Sequence, residues 1–141
     1  SAEMSYGSFN TNKQAVRVSS GLLGGKWAVD GRLPHVYSDG YMERAFANMG
    51  SYMLQAAYLG ENTLVKLLSF GGIERTYNAW DGITKEQMEK NRRYNPCGEI
   101  TDAEGNVIGF YNDQIDNYVQ INNQLVLNHR INALWKLNAT E

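Results

Sequence analysis

The stretch GLLGGKWAVDGRLPHVYSDGYMERA, residues 21–45, decides the fold class. It holds a Gly-Gly pair, then a segment of alternating side chains, then an aromatic segment punctuated by glycine. Adjacent glycines permit the positive φ angles that a tight β-hairpin requires. The residues that follow the pair alternate between an apolar and a charged set, Trp27, Val29 and Leu33 against Lys26, Asp30 and Arg32. This period of two predicts a hairpin whose second strand has one apolar face.

Alternation of the same kind predicts that most of the chain is β-strand. The predicted strands are residues 5–22, 26–37, 50–58, 63–71, 116–128 and 131–139. Tight turns are expected at residues 24–25, 60–62 and 128–130, with a longer loop at 38–48 and a very long excursion at 72–115. The predicted fold class is mainly β, an antiparallel up-and-down meander of about six strands, forming a single domain of residues 1–141.

The long excursion carries local structure of its own. Thr84-Lys85-Glu86-Gln87 has the form of a capping box, which predicts a short helix over residues 85–92. Ala103-Glu104-Gly105-Asn106 is typical of a tight turn, and it predicts a small hairpin between residues 99–102 and 107–111. The chain is therefore expected to be a sheet with one structured long loop.

The order of the connections indicates a particular kind of sheet. Short and long connections alternate along the chain, and alternate connections of an up-and-down meander lie at the same end. All tight turns then fall at one edge and all long loops at the other, as in a partial outer-membrane-type barrel. Trp27, Tyr58 and Trp135 are expected near the short-turn edge, and such rings gather at membrane interfaces. A half-exposed sheet of a soluble β-rich ligand-binding module has the same alternation and is the alternative.

Composition argues against several classes of function. The 13 basic and 15 acidic residues give a net charge of −2 without a cationic tract, so no nucleic-acid partner is predicted. Cys97 is the only cysteine, and His35 and His129 are far from it in sequence. No internal disulfide, metal site or cofactor is therefore predicted. Because the chain has no run of about 18 apolar residues, no transmembrane helix is predicted either.

Carboxylates gather on the excursion, at Glu99, Asp102, Glu104, Asp113 and Asp116. Two carboxylates at a fixed separation would suit a glycosidase. Nothing in the sequence desolvates one member of such a pair to raise its pKa, so they are interpreted as solvated loop charges. No catalytic residue is predicted, and the chain is not expected to be an enzyme.

Aromatic rings and arginines also concentrate on the excursion, where they are the best candidates for contact with a ligand. The predicted ligand-binding residues are Tyr77, Trp80, Arg92, Arg93 and Tyr94. Rings beside guanidinium groups suit sugars and anionic chelates, and a long loop offers the side-chain surface that tight turns lack. Packing of the loop's own small core is the alternative role for the aromatic residues.

Five passages together carry a resemblance to a known family. They are SYGSFNTNKQ (5–14), GLLGGKWAVDGRLPHVYSDGYMERA (21–45), SFGGIERTYNAWDGI (69–83), NRRYNPCGEITDAEGN (91–106) and NDQIDNYVQ (112–120). The SDGY element followed by G-x-x-x-TYNAW is the most specific part. In these passages the chain resembles the early barrel strands of a TonB-dependent outer-membrane receptor of the kind found in Bacteroidota. The resemblance implies a fragment of a 22-stranded barrel in the cell outer membrane. Such a receptor captures and imports a scarce nutrient, such as an iron–siderophore, cobalamin or an oligosaccharide.

The same resemblance implies partners. In this family the inner-membrane TonB complex pulls on a plug domain, which these residues do not include, so contact with that complex is expected only through the plug. About six strands leave the lateral edges of the sheet unpaired, and unpaired edges readily pair with another chain. The isolated fragment is therefore expected to self-associate.

Overall fold

The computed structural model describes residues 1–141 without a gap, and it is mainly β. The elements are β1 (Ala2–Gly7), β2 (Thr11–Leu23), β3 (Trp27–Ser38), β4 (Ala47–Leu59), β5 (Thr63–Thr76), α1 (Lys85–Lys90), β6 (Glu99–Thr101), β7 (Val107–Phe110), β8 (Asp116–Arg130) and β9 (Lys136–Thr140). Strands account for 60% of the chain, which is more than twice the usual share of a soluble domain. The single helix is six residues long, and no helix is long and apolar enough to cross a membrane.

Seven of the strands form one sheet in the order β1-β2-β3-β4-β5-β8-β9, and each strand is antiparallel to its neighbours. The predicted up-and-down meander is therefore confirmed. Strands β6 and β7 form a separate small hairpin inside the long excursion, as predicted. The main sheet is open, so β1 and β9 each have one edge without a partner strand.

The hairpin turns at 24–25 and 60–62 are where the sequence predicts them, but the first predicted strand is wrong. Residues 5–22 contain two strands, separated by a turn at residues 8–10. Phe9 and Asn10 both have positive φ, at 58° and 54°. Asparagine tolerates this conformation, whereas phenylalanine rarely adopts it. A long-range bond from the N–H of Asp39 to the carbonyl of Phe9 (2.9 Å) accompanies the turn, and local sequence does not show this bond.

The predicted last turn, at residues 128–130, is also wrong. These residues are strand, because His129 pairs with Thr63 and the N–H of Arg130 donates to the carbonyl of Asn62. The chain turns instead at residues 131–135, where Asn132 Oδ1 accepts hydrogen bonds from two backbone N–H groups, those of Leu134 and Trp135. An Asx turn of this kind needs no glycine.

Two further predicted boundaries shift, the first because strand pairing continues beyond the local pattern. Strand β5 runs through Gly71-Gly72 to Thr76, so the excursion begins at residue 77 and not at 72. The capping box is confirmed, since Thr84 Oγ1 accepts from Gln87 N–H and Gln87 Oε1 accepts from Thr84 N–H. The helix nevertheless ends at Lys90 and not at 92, with Asn91 in an extended conformation as its cap.

Strand register sorts the side chains of the main sheet onto two chemically different faces. Directly paired residues point to the same side, so each register row belongs to one face. One such row runs Leu23, Trp27, Tyr58, Val65, Leu127 and Ala139. We call the side that carries this row the apolar face and the other side the polar face. The polar face carries ten charged residues: Glu3, Lys13, Arg17, Asp30, Arg32, Lys66, Glu74, Asp116, Arg130 and Lys136.

The apolar face is exposed, because no second layer covers it. Only five of 141 residues are buried, and among the strands of the main sheet these are Ala57 and Thr76, both on the polar face. Fifteen large apolar side chains of the apolar face are exposed: Met4, Tyr6, Val16, Val18, Leu23, Trp27, Val29, Leu33, Leu54, Leu67, Ile73, Val119, Ile121, Leu125 and Leu137. A globular domain normally buries such a face against a second layer.

Short turns lie at one end of the sheet and long loops at the other, as predicted, except that one short turn lies at the long-loop end. The turns at residues 24–26, 60–62 and 131–135 lie at one end, which we call the short-turn end. The loop 39–46 and the excursion 77–115 lie at the other, together with the short β1–β2 turn. Trp27, Tyr58 and Trp135 lie at the short-turn end, as predicted, and the rings of Trp27 and Tyr58 are 4.9 Å apart.

Gly71 lies where β5 and β8 approach each other closely, so a substitution there tests the pairing of these two strands. A Cβ atom at Gly71 would clash with the carbonyl oxygen of Gln120 and lie 3.0 Å from the Tyr52 ring. We expect Gly71→Ala to lower the free energy of unfolding by about 1–3 kcal/mol, because the β5–β8 ladder must shift. The matched control is Gly50→Ala on the same face, where the nearest atom to the new Cβ is 3.6 Å away. Denaturant unfolding measures both variants, and equal stabilities would contradict the prediction.

Candidate functional site: the loop cap

Three connections meet at the end of the sheet opposite the short turns. They are residues 8–10, 39–46 and 77–115, which we call the loop cap. The ring of Phe9 packs edge-on against Tyr41 at 5.4 Å, joining the first two connections. The N–H of Tyr77 donates to the carbonyl of Phe46, and the N–H of Glu43 donates to the carbonyl of Arg93, which joins the second to the third. Three of the five buried residues of the protein lie in this cap: Tyr77, Asn95 and Cys97.

Arg44 is the central cation of the loop cap. Its Nη2 donates to the backbone carbonyls of Asn95 and Cys97, about fifty residues later in the chain. Its guanidinium carbon lies 3.5 Å from the centroid of the Phe110 ring, which is a close cation–π contact. Arg44 also has a positive φ of 60°. The side chain therefore holds the excursion against loop 39–46 through hydrogen bonds at its edge and one aromatic contact on its face.

Asn95 is the most enclosed side chain of the protein, with none of its surface exposed. Its Nδ2 donates to the carbonyl of Glu43 at 2.9 Å, and its Oδ1 accepts from the N–H of Cys97 at 3.1 Å. Asn91 Nδ2 donates to Glu43 Oε1 at 2.8 Å, which adds a second link to the same residue. Buried polar groups are stable only when they are hydrogen-bonded, so these bonds specify one arrangement of the cap.

Tyr77 and Cys97 complete the interior. The Tyr77 hydroxyl donates to the carbonyls of Cys97 (2.9 Å) and Tyr111 (3.2 Å). Cys97 Sγ accepts from the N–H groups of Trp80 and Asp81, and its thiol donates to Asp81 Oδ2 at 3.3 Å. Gly98 has a φ of 76°, and a Cβ atom there would clash with the Tyr77 hydroxyl. Glycine is therefore required where the excursion doubles back.

The five predicted ligand-binding residues all lie in the cap, but in different environments. Tyr77 is only 3% exposed and its hydroxyl donates to two backbone carbonyls, whereas Trp80 is 76% exposed. Tyr94 is half-buried, and its hydroxyl donates to Glu99, which raises the pKa of Tyr94. Arg93 Nε donates to the carbonyl of Tyr41 at 2.8 Å, with its guanidinium 5.4 Å from the Phe9 ring, and Arg92 is exposed. Trp80, Arg92 and the outer part of Arg93 are thus the members that face solvent, and their role with a ligand stays a prediction.

The two residues that organise the cap, Arg44 and Asn95, are not among the predicted site residues. Arg44 belongs to the glycine-punctuated SDGYMERA segment, and Asn95 precedes the Pro-Cys-Gly turn. A polar residue beside a turn of this type was the only local signal. Their importance comes from contacts across about fifty residues, which no local pattern encodes.

Three carboxylates in or beside the excursion each accept a hydrogen bond from a different partner. Asp81 accepts from Cys97, Glu99 from Tyr94, and Asp116 Oδ2 accepts from Asn78 Nδ2. No group of three or more His, Cys, Asp or Glu side chains is placed to hold a metal ion. Asp102 closes the β6–β7 turn, where its Oδ1 accepts from the N–H groups of Glu104 and Asn106.

Comparison with known proteins adds no relative. No protein-family model matches the chain, and no curated protein or solved structure matches it. The functional proposal therefore rests on the fold, its side chains and the resemblance of the sequence passages.

Asn95→Ala tests the interior of the loop cap. The substitution leaves the carbonyl of Glu43 and the N–H of Cys97 without their partner, so we expect local opening of the cap to become easier by about 2–4 kcal/mol. Hydrogen exchange should accelerate in residues 39–46 and 91–99, while amides at the centre of the main sheet keep their protection. Asn112→Ala is the control, since Asn112 is exposed and makes no side-chain hydrogen bond. Unchanged exchange in the cap would contradict the role given to Asn95.

Asp102 makes a pH-dependent contribution to the small hairpin. The side chain of Asn106 and the N–H groups of the turn hold the pKa of Asp102 below its ordinary value of 3.8. This stabilisation is present above the unfolded-state pKa and is lost as pH falls through the folded-state value. We expect Asn106→Ala to raise the pKa of Asp102 toward 3.8, measured by NMR titration of the carboxyl carbon. Asn112→Ala should leave it unchanged, and an equal pKa in all three proteins would disprove the assignment.

Proposed function

We propose that the chain is a segment of the barrel wall of a TonB-dependent outer-membrane receptor, which captures a scarce nutrient and imports it. The observation that carries the proposal is the separation of charge between the faces of the main sheet. Ten charged residues lie on the polar face, whereas Arg75 is the only Asp, Glu, Lys or Arg on the apolar face. In this assignment the apolar face contacts lipid and the polar face lines the lumen.

The physical reason for the separation is the cost of charge in lipid. A lysine or arginine on the lipid face of a barrel costs roughly 2–4 kcal/mol at the bilayer midplane, whereas the lumen side is wet. A monomeric soluble domain rarely exposes a continuous apolar patch of more than a few hundred Å². The fifteen exposed apolar side chains extend over β1 to β9, across the whole width of the sheet. Lipid contact explains both the apolar face and its lack of charge.

The height of the apolar band fits a membrane. On β5 the uncharged run of the apolar face extends from Val65 to Ile73, and on β8 from Val119 to Leu127. Ser69 and Asn123, which pair with each other, are the polar residues in its middle. Each run spans roughly 26 Å along its strand, and the usual tilt of barrel strands reduces this to roughly 20 Å. The apolar band of outer-membrane barrels is about 25 Å tall. The two heights agree within about two residues of strand.

Aromatic rings at the short-turn end support the same orientation. Trp27 is 55% exposed on the apolar face and packs on Tyr58, while Trp135 is exposed in the neighbouring turn. Tryptophan and tyrosine concentrate where acyl chains meet headgroups. The short turns then lie on the periplasmic side and the loop cap on the outer side.

The open edges of β1 and β9 are consistent with a segment of a larger sheet. A closed barrel pairs every edge strand, whereas these two strands each leave one edge free. In this proposal further strands and a TonB-contacting plug are supplied from outside residues 1–141. Self-association of these residues through the free edges remains a prediction.

Ligand capture belongs to the outer surface of the loop cap in this assignment. Trp80 offers an exposed ring, and Arg92 an exposed guanidinium group. Exposed rings and cations on one loop surface suit an oligosaccharide or an anionic chelate, such as an iron–siderophore. In this proposal the side chains of the loops determine which nutrient the receptor binds, because the barrel strands are compatible with any of these nutrients.

Lipid contact can be tested with the three tryptophans of the chain. Variants that keep only Trp27, with Trp80 and Trp135 replaced by Phe, are refolded into vesicles of phosphatidylcholine with brominated acyl chains. Bromine quenches only nearby rings, so we expect strong quenching of Trp27, which lies on the apolar face.

The matched control keeps only Trp80, which lies in the loop cap at the other end and should be quenched little. Equal quenching of the two, or none of either, would contradict the lipid-facing assignment and favour a soluble β-rich ligand-binding module.

A further inference from the structure

Arg75 is the one charged side chain on the apolar face, and it lies at the boundary between that face and the loop cap. It follows Ile73 by two residues on β5, and the excursion begins two residues later. Its side chain is exposed and makes no hydrogen bond. The two ion pairs of the protein, Arg17–Asp30 and Lys85–Glu89, do not involve it. Its closest aromatic contact is Phe46, whose ring centroid is 6.0 Å from the guanidinium carbon. All five N–H donors of this guanidinium are therefore free.

Amide donors flank Arg75 on both sides. Asn48 on β4 and Asn117 on β8 are its direct register partners, and both are exposed. Directly paired side chains have Cβ atoms roughly 5 Å apart, so each amide is within reach of a group bound by Arg75. Asn117 Nδ2 donates to the carbonyl of Ile115 at 3.5 Å, which leaves the second N–H of that amide free. Asn48 Oδ1 lies 2.8 Å from His35 Nε2, which leaves its Nδ2 as a free donor directed away from the ring. Tyr37, the next residue in the row, has its hydroxyl committed to Asp39.

An apolar groove lies directly below this row. It has a volume of about 300 Å³ and is lined by nine residues, four of which are the apolar Tyr52, Ile73, Val119 and Ile121. Gly50, the partner of Ile73, leaves the groove open on one side because it has no side chain. The row of one guanidinium group and two amides and the apolar groove are thus one register step apart on the same face.

We propose that this surface binds a phosphate-bearing lipid of the outer leaflet, with the phosphate on Arg75, Asn48 and Asn117 and an acyl chain in the groove. The inference rests on the proposed function, because it requires the apolar face to lie in a membrane. A guanidinium group binds the two non-bridging oxygens of a lipid phosphate through two parallel hydrogen bonds, and the flanking amides can donate to further lone pairs of the same oxygens. A phospholipid carries its phosphate at the end of its acyl chains. This matches the position of the row beside the apolar groove, so the arrangement favours a lipid phosphate over a free carboxylate.

Vesicle binding by the full chain tests this site. Affinity is measured for vesicles of phosphatidylcholine alone, whose phosphate is paired with its own choline, and for vesicles that also contain phosphatidylglycerol. The variants are Arg75→Gln, which removes the charge, and Arg75→Lys, which keeps the charge but loses the planar fork. The matched control is Arg32→Gln, because Arg32 is also exposed and unpaired but lies on the polar face.

We expect Arg75→Gln to weaken binding to the phosphatidylglycerol vesicles roughly tenfold, and Arg75→Lys to recover only part of that loss. Arg32→Gln should change the affinity less than about twofold, and circular dichroism should show the same strand content in every variant. Equal losses of affinity for Arg75→Gln and Arg32→Gln would show diffuse charge attraction and overturn the proposal. Unchanged affinity in both variants would also overturn it.

Quenching of Trp27 by brominated acyl chains, recorded in the same vesicles, separates this proposal from the proposed function. Strong quenching without dependence on Arg75 would overturn the phosphate site and leave the lipid-facing assignment intact. Absence of quenching in every vesicle would overturn both.

Discussion

The register of a single-layer antiparallel sheet is the constraint on which the rest of this structure depends. Each strand alternates between two chemically different sets of side chains, and a slip of one residue would move every apolar side chain to the polar face. Backbone pairing is unbroken by a bulge across β3, β4, β5 and β8, so the apolar sets of four long strands add up to one surface. The bulge between Ser19 and Leu22 returns Leu23 to the same side at the end of β2. The apolar face is thus a property of the whole sheet and of no strand by itself.

The loop cap is held together chiefly by side-chain hydrogen bonds, whereas the sheet is held together by strand pairing. The sheet has almost no buried core, and the enclosed side chains near the cap hold one another chiefly through hydrogen bonds. Arg44 and Asn95 act on backbone carbonyls and N–H groups from two connections, so they order chain that has little apolar surface to bury. Such contacts are individually worth about 1 kcal/mol, but losing one partner leaves a buried group unsatisfied, which costs more. The cap is therefore specified by polar complementarity, whereas the sheet is specified by pairing.

The main sheet and the loop cap meet at the row of Asn48, Arg75 and Asn117. Below the row, the face carries no Asp, Glu, Lys or Arg; above it, Trp80 and Arg92 of the cap are exposed. In the proposed orientation, a membrane boundary at this height would place the apolar band in acyl chains and the exposed Trp80 and Arg92 in water. The position of Arg75 then has a physical cause, because a cation is tolerated near headgroups and is costly at the centre of the bilayer.

The sequence by itself determined the β class, the meander, the hairpin turns at 24–25 and 60–62, and the capping box at Thr84. These features depend on neighbouring residues, since alternation, adjacent glycines and a Thr-to-Gln spacing all act within a few positions. Tertiary structure decided the turn at residues 8–10, the turn at 131–135, the extension of β5 to Thr76 and the interior of the loop cap. Each of these depends on a bond or pairing to a distant segment, as when Asp39 holds Phe9 or Arg44 holds Asn95. Local patterns record how a segment can fold, but the partner that selects one conformation lies elsewhere in the chain.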